Sequence, residues 1–160
     1  MYGDHMKALE IAKYIITKYV NIGKPISNLK LQKLLYFVQG LALCTLERPA
    51  FDEEIIAWKY GPVVPEVYFE FSMYGALDID RVYEDDVRKV EADIDIANIA
   101  AFIILKFEDT SPIKLVNETH LSGSPWDAAY TSRDNDRKVI DKEKISKYFK
   151  KKYMKEWLEE

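Results

Sequence analysis

Residues 27 to 42 constrain the fold of this 160-residue chain more than any other segment. Ser27 or Asn28 can cap the start of a helix through a side-chain oxygen, and apolar residues then recur at intervals of three and four. The residues on that apolar face are Leu31, Leu34, Leu35, Val38, Leu41 and Ala42. This spacing predicts an amphipathic helix that buries one face against the rest of the protein.

Two more long helices are predicted from the same spacing. Residues 8 to 20 carry an apolar face of this kind. The other helix opens near Asp93 or Asp95, whose carboxylates lie at the positive end of the helix dipole, and it runs to Phe107. Its apolar stripe predicts the central helix of the core.

Four shorter helices are predicted from the signals at their first turns. A proline suits the first helical position, and a serine or aspartate oxygen can cap the backbone N–H groups that follow it. The expected starts are Pro65, the pair Ser111 and Pro112, the pair Ser124 and Pro125, and Asp141. The first of these helices is expected to end at Gly75.

A small β element is predicted between the helices. Residues 51 to 60 are rich in aromatic and β-branched side chains and are followed by Gly61 and Pro62, which predicts a short strand or hairpin that stops at this pair. The acidic connection from 76 to 92 leaves helix and strand open. The patterns together predict a mainly α protein, one compact domain over residues 1–160 with six or seven helices and a small β-hairpin or short sheet.

The composition favours a cytoplasmic protein that binds a partner. The single cysteine, Cys44, cannot form an internal disulfide, and no apolar run approaches the ~20 residues needed to cross a bilayer. Aromatic residues make up 13% of the chain, and large rings contribute buried area to cores and to interfaces. We therefore expect no membrane association.

No local catalytic motif occurs in the chain. A nucleophile elbow, a phosphate-binding loop, a dinucleotide fingerprint and a zinc-binding His-Glu-x-x-His are all absent from the sequence. One cysteine and two histidines are too few for a typical zinc site, and His5 lies in an N-terminal stretch on which no inference depends. We expect no metal, no other cofactor and no enzymatic activity.

Cys44 and His120 are the residue types of a nucleophile and its base. Cys44 lies on the apolar end of the predicted second helix, where a free cysteine behaves as a small core residue. His120 has three open roles at the end of a short helix. It can stabilise exposed carbonyls, join a buried hydrogen-bond network or face a partner.

Charge is distributed unevenly along the chain. Residues 142 to 155 contain seven lysines and one glutamate, a balance of +6. Lysines on a terminal helix usually form a solvated outer face, and no other nucleic-acid recognition motif accompanies them. We therefore expect no nucleic-acid partner.

Several motifs together resemble those of a known family. Residues 26–36, ISNLKLQKLLY, precede residues 57–68, AWKYGPVVPEVY, and Thr119-His120 and Ser124-Pro125-Trp126 follow downstream. This combination is similar to the Panacea domain of SocA-like antitoxins, also described as phage-associated GepA-type proteins, over about residues 6 to 150. The resemblance implies a compact, mainly helical domain with a small β element.

The same resemblance implies an antitoxin that binds and neutralises a cognate toxin by direct protein–protein contact. Relatives of the SocA type imply a second possibility, a proteolytic adaptor that delivers the toxin to the ClpXP protease. A phage-encoded enzyme or host-takeover factor that uses His120 is the alternative from a different class. The three hypotheses differ in the fate of the partner, which is bound and inhibited by an antitoxin, degraded through an adaptor, or chemically changed by an enzyme.

The predicted partner-binding residues cluster around the glycine and prolines of the second motif. They are Lys33, Lys59, Tyr60, Gly61, Pro62, Val63, Val64 and His120. Fixed backbone holds such a patch in place at low ordering cost on binding. The alternative is that these residues seal the hairpin onto the second helix, with Trp58 and Trp126 in the core and Lys59 and Tyr60 at the surface.

Overall fold

The chain folds into eight helices and two small β pairs in the computed structural model, which describes residues 6 to 158. The helices are α1 (Ala8–Asn21), α2 (Asn28–Leu41), α3 (Pro65–Glu70), α4 (Glu84–Glu91), α5 (Ile94–Lys106), α6 (Pro112–Thr119), α7 (Pro125–Thr131) and α8 (Lys142–Phe149). The mainly α prediction is confirmed. The helix that the sequence left undecided is α4, within the acidic connection. His5 lies outside the described residues.

Two helices continue beyond their α-helical part, and one is followed by a tighter turn. Helix α2 runs into a π-helical turn at Ala42–Leu46. Helix α8 continues through another π-helical turn at Lys150–Met154 into a last α-helical turn at Lys155–Leu158. A 3-10 turn at Ser72–Tyr74 follows α3 and ends at Gly75, the predicted stop.

The strands form two antiparallel pairs. Strand β1 (Ile26–Ser27) pairs with β4 (Asp78–Ile79), and β2 (Ile56–Trp58) pairs with β3 (Gly61–Val63) in a hairpin. The first pair was not predicted, because strands of two residues carry no alternating pattern.

The expectation that Gly61 and Pro62 stop the strand is wrong, since both belong to β3. Pro62 lies opposite Ala57, whose N–H donates to the carbonyl of Lys138 on the other side of β2 at 2.8 Å. Residue 62 therefore needs no N–H to pair with β2, and proline fits here without removing a hydrogen bond between the two strands.

Helix α2, rather than α5, is the central helix. Leu29 is the one residue of α2 that is not buried, whereas α5 leaves Leu105 72% exposed. The apolar stripe of α5 faces α1, α2 and α4 and leaves its other side to solvent. The sequence pattern misplaced the centre because several buried positions of α2 are polar. Those residues are Asn28, Lys30, Gln32, Lys33 and Gln39.

Hydrogen bonds make the burial of these polar residues tolerable. The side-chain oxygen of Gln39 accepts from the N–H of Ala50 at 2.8 Å, and its nitrogen donates to the carbonyl of Phe51 at 2.8 Å. A buried polar group without a partner costs about 1–3 kcal/mol, so these bonds fix the incoming loop against α2.

A cluster of aromatic rings joins α2 to the closing helix. Phe37 on α2 contacts the rings of Phe107, Phe149, Tyr153 and Trp157, with centroids 4.8 to 5.9 Å apart. Gly40 lets the Phe149 ring pack directly against α2, because a Cβ at position 40 would lie 2.3 Å from Cε2 and Cζ of Phe149.

Gly40→Ala is therefore expected to lower the free energy of unfolding by about 1–3 kcal/mol, as overpacked cores do. Helix propensity alone predicts the opposite sign, a gain of about 1 kcal/mol. Urea denaturation decides between the two. The double variant Gly40→Ala/Phe149→Leu should lose less than the sum of the single losses, and additive losses would contradict the packing explanation.

Candidate functional site

A cleft of about 340 Å³ opens between the first half of α2, the β2–β3 hairpin and α3. Its lining residues are Asn28, Leu29, Gln32, Lys33, Trp58, Lys59, Tyr60, Val63, Tyr68, Gly75 and Ala76. The walls are aromatic and aliphatic, two lysines contribute the charge, and none of the described acidic residues lines the cleft. A concave, mostly apolar site with a few polar groups is the usual form of a binding site.

Lys33 lies at the floor of the cleft with no exposed surface. Its Nζ donates one hydrogen bond, to the carbonyl of Pro62 at 2.8 Å. No carboxylate of the described residues forms an ion pair with it, and burial lowers the pKa of this lysine from 10.5 to about 7. An ammonium without a counter-charge is the least stable form of a buried lysine.

Lys30, one turn earlier on α2, shows how the fold accommodates a buried lysine elsewhere. Its Nζ donates to the carbonyls of Phe107 and Glu108, at 2.8 and 3.3 Å, just beyond the C-terminus of α5. Burial lowers the pKa of Lys30, but the charges of Asp109, Asp78 and Glu108 oppose that shift. Among the residues that the structure describes, no acid opposes the corresponding shift of the Lys33 pKa.

Gly61 lets Lys33 lie beneath the hairpin. A Cβ at this position would lie 2.7 Å from Cε of Lys33 and 2.9 Å from Oγ1 of Thr119, and the φ of 111° suits glycine alone. The glycine of the sequence motif is therefore required by the contact between β3, α2 and α6.

Two hydrogen bonds attach the walls of the cleft to α2, and a third joins the two α2 side chains that make them. The Gln32 side chain accepts from the N–H of Val64 at 2.9 Å and donates to Asn28 Oδ1 at 2.9 Å. Asn28 donates in turn to the carbonyl of Tyr68 on α3 at 3.0 Å. This amide pair was not among the predicted site residues, although its spacing of four residues along an otherwise apolar helix is a usable signal.

His120 lies behind the hairpin at the end of α6. Its ring stacks on Trp126 with centroids 3.8 Å apart, and Trp126 Nε1 donates to the carbonyl of Trp58 at 2.7 Å. Burial, followed by the charge of Lys33, lowers the pKa of His120, and its Nε2 has no hydrogen-bond partner among the described residues. The ring thus takes part in packing, and its role toward a partner stays a prediction.

Cys44 is a core residue, as predicted. The side chain is buried, Sγ donates to the carbonyl of Leu41 at 3.6 Å, and burial raises the pKa of the thiol. A buried thiol with a raised pKa is typical of an unreactive cysteine.

Large apolar side chains stand exposed beside the cleft. Their exposed fractions are 59% for Tyr60, 64% for Phe69, 87% for Met73 and 73% for Leu77. Tyr60 lines the cleft itself, and the ring of Phe69 contacts that of Trp58 at 6.0 Å. We call these four residues the rim. Three of them were not among the predicted site residues, because Phe69 lies on a helix of only six residues and Met73 and Leu77 follow it in a turn and a bend, where spacing does not show which side is exposed.

The structure divides the predicted partner-binding residues into three groups by their exposure. Lys59 and Tyr60 are exposed at the hairpin turn, His120 is partly buried, and the remaining residues are buried beneath them. The buried set is Lys33, Gly61, Pro62, Val63 and Val64. Of all eight, Lys33, Lys59, Tyr60 and Val63 line the cleft together. The buried residues thus pack the hairpin onto α2, and residues next to them line the cleft.

The family model described as antitoxin SocA-like, Panacea domain, matches residues 31–127, which include most of α2, the hairpin and the cleft. The chain belongs to this family. Antitoxin SocA of Caulobacter vibrioides (strain NA1000 / CB15N) is 37% identical over 128 residues, covering 75% of this chain and 68% of that protein. No solved structure matches the chain.

Family membership supports an antitoxin role for this Panacea-domain protein. Within residues 6 to 158, none of the helices combines the length and the apolar character that crossing a bilayer requires. The same part of the chain contains no group of three or more histidine, cysteine or carboxylate side chains placed to hold a metal ion.

Lys33→Met is expected to raise the free energy of unfolding of the isolated protein by about 2 kcal/mol at pH 7. Lowering a lysine pKa from 10.5 to about 7 costs about 5 kcal/mol, at roughly 1.4 kcal/mol for each pH unit. Leaving the Pro62 carbonyl unpaired costs about 1–3 kcal/mol, which is less.

The gain should disappear at alkaline pH. The unfolded lysine binds more protons than the folded one between pH 7 and 10.5, so the wild-type protein gains stability as the pH rises through this window. Denaturation of both proteins at about pH 7 and about pH 9.5 measures the effect. If Lys33→Met is less stable than the wild type at pH 7, other groups of the folded protein stabilise the charge of Lys33, and the prediction is wrong.

Proposed function

We propose that the protein neutralises a cognate toxin by direct protein–protein contact, and that the contact surface is the cleft with its rim. The observation that carries the proposal is the exposure of four large apolar side chains next to a preformed cleft. An antitoxin needs a surface for its toxin, and this one lies within the part of the chain that matches the family.

The rim has the properties of an interface centre. Exposed large apolar side chains in one place mark interaction sites, and scattered single ones do not. Burial of such a side chain contributes about 1.5–3 kcal/mol, so two or three of them under a partner can dominate the binding free energy. Tyr60 and Phe69 are aromatic, the residue class most enriched at such centres.

The hairpin is held in place before any partner arrives. Trp58 accepts a bond from Trp126, Pro62 accepts one from Lys33, and Val64 donates one to Gln32. A surface fixed by bonds from two helices, α2 and α7, loses little conformational entropy on binding, and this supports tight association.

Purified proteins test the proposal without cellular factors. The toxin encoded beside the antitoxin should arrest growth alone and be harmless when both are expressed, and the two purified proteins should form a stoichiometric complex in which the toxin is inactive. Inhibition that requires added ClpXP would support the adaptor instead. A His120→Ala protein that still binds the toxin but no longer neutralises it would support the enzyme.

Met73→Ser and Phe69→Ser are expected to weaken toxin binding by about tenfold or more each, because a partner would bury these side chains. Both are exposed, so the thermal stability of the free protein should change little. Leu105→Ser is the matched control, since Leu105 is 72% exposed on α5, which packs on α1, α2 and α4. Equal affinities for all three variants, measured by titration calorimetry, would place the interface elsewhere.

A further inference from the structure

Helix α2 carries two buried lysines, Lys30 and Lys33. Among the described residues, acidic side chains lie near Lys30 and not near Lys33. Lys30 has two carbonyl acceptors and acidic neighbours, whereas Lys33 has one carbonyl acceptor. Buried charges in stable proteins are paired, because desolvation costs more than one hydrogen bond returns. A carboxylate or another anionic group of a partner would supply the counter-charge that the described residues do not.

The cleft above Lys33 fits such a group. Trp58, Tyr68 and Val63 provide apolar walls, Lys59 adds a second positive charge, and no acidic residue is part of the lining. A space of about 340 Å³ accommodates a side chain with its immediate neighbours. A carboxylate that reaches the floor of the cleft would lie against a lysine that is already shielded from water, where attraction between opposite charges is strongest.

The acidic residues near the cleft restrict which kind of partner segment can present the carboxylate. Glu66 and Glu70 are exposed on α3, and Asp78 is exposed on β4. These acids repel a broadly acidic surface, but they lie outside the lining of the cleft. A single acidic side chain within an otherwise apolar segment satisfies both the apolar rim and the lysine floor.

We propose that the toxin inserts one aspartate or glutamate side chain into this cleft, where its carboxylate pairs with the ammonium of Lys33. The proposal rests on the proposed function and names the chemistry of the partner. The rim residues then provide affinity through apolar burial, and Lys33 provides specificity because a neutral side chain would leave the ammonium unpaired.

A small probe tests the cleft without the toxin. We expect 3-phenylpropionate to cause saturable NMR shifts in the ¹⁵N-labelled protein at α2 and the hairpin, and the neutral 3-phenylpropanamide to cause none there. The shifts should disappear in Lys33→Met and persist in Lys30→Met, the control for a buried lysine outside the lining. Equal shifts from acid and amide would overturn the assignment of the floor as an anion site.

The cognate toxin tests the occupant. Lys33→Met should weaken the complex by about 10- to 100-fold, the usual range for a hydrogen bond to a charged group, while the free variant keeps or gains stability. A merely structural role for Lys33 predicts that stability and affinity fall together. Lys33→Gln, whose amide can still donate to the Pro62 carbonyl, should show the same loss of affinity if Lys33→Met folds poorly.

A scan of the toxin identifies the acid. One Asp→Asn or Glu→Gln substitution in the toxin should weaken binding to the wild-type antitoxin and have no further effect with Lys33→Met. If instead the loss of affinity in Lys33→Met depends on the C-terminal carboxylate of the toxin, the carboxylate does not come from an aspartate or glutamate side chain, and that part of the proposal is wrong. Unchanged affinity of Lys33→Met would overturn the inference and leave the proposed function standing, whereas failure of any toxin to bind the wild type would overturn the proposed function.

Discussion

Burial of α2 on every side is the constraint on which the rest of the structure depends. A helix with polar residues can be enclosed only if each buried donor and acceptor finds a partner, since each failure costs about 1–3 kcal/mol. Gln39 binds the loop at Ala50 and Phe51, Gln32 binds the start of α3 at Val64, and Lys30 binds the end of α5. These bonds set the positions of the segments that pack around the helix.

The same arrangement creates the candidate site. Because Gln32 and Asn28 attach α3 and the hairpin to the first half of α2, a gap remains between these elements, and Lys33 forms its floor. Two buried groups on this helix depart from the rule: the Lys33 ammonium has a single acceptor, and the Tyr36 hydroxyl has no hydrogen-bond partner among the described residues. Local violations of folding rules concentrate at functional sites, where a partner completes what the fold leaves incomplete.

Much of the fold could be predicted because helix signals are local. The predicted caps at Ser111, Ser124 and Asp141 each accept from the backbone N–H three residues on, and of the two residues named at the start of α2 and of α5, Ser27 and Asp93 do so. The central position of α5 was predicted wrongly, because spacing shows which face of a helix is apolar but not how many elements surround it. The site was predicted in part: the hairpin turn and Lys33 were named, and Phe69, Met73 and Leu77 were not.

The sequence by itself determined seven of the eight helices of the described residues, the hairpin region and the family, because periodicity, caps and motifs depend on residues a few positions apart. Tertiary structure alone decided that Lys33 is buried, that its one acceptor is the carbonyl of Pro62, and that four apolar side chains remain exposed beside it. Lys33 and Pro62 are 29 positions apart. A long side chain at such a position reads as solvated until the fold shows which distant segment covers it, since burial depends on packing between segments rather than on residue type.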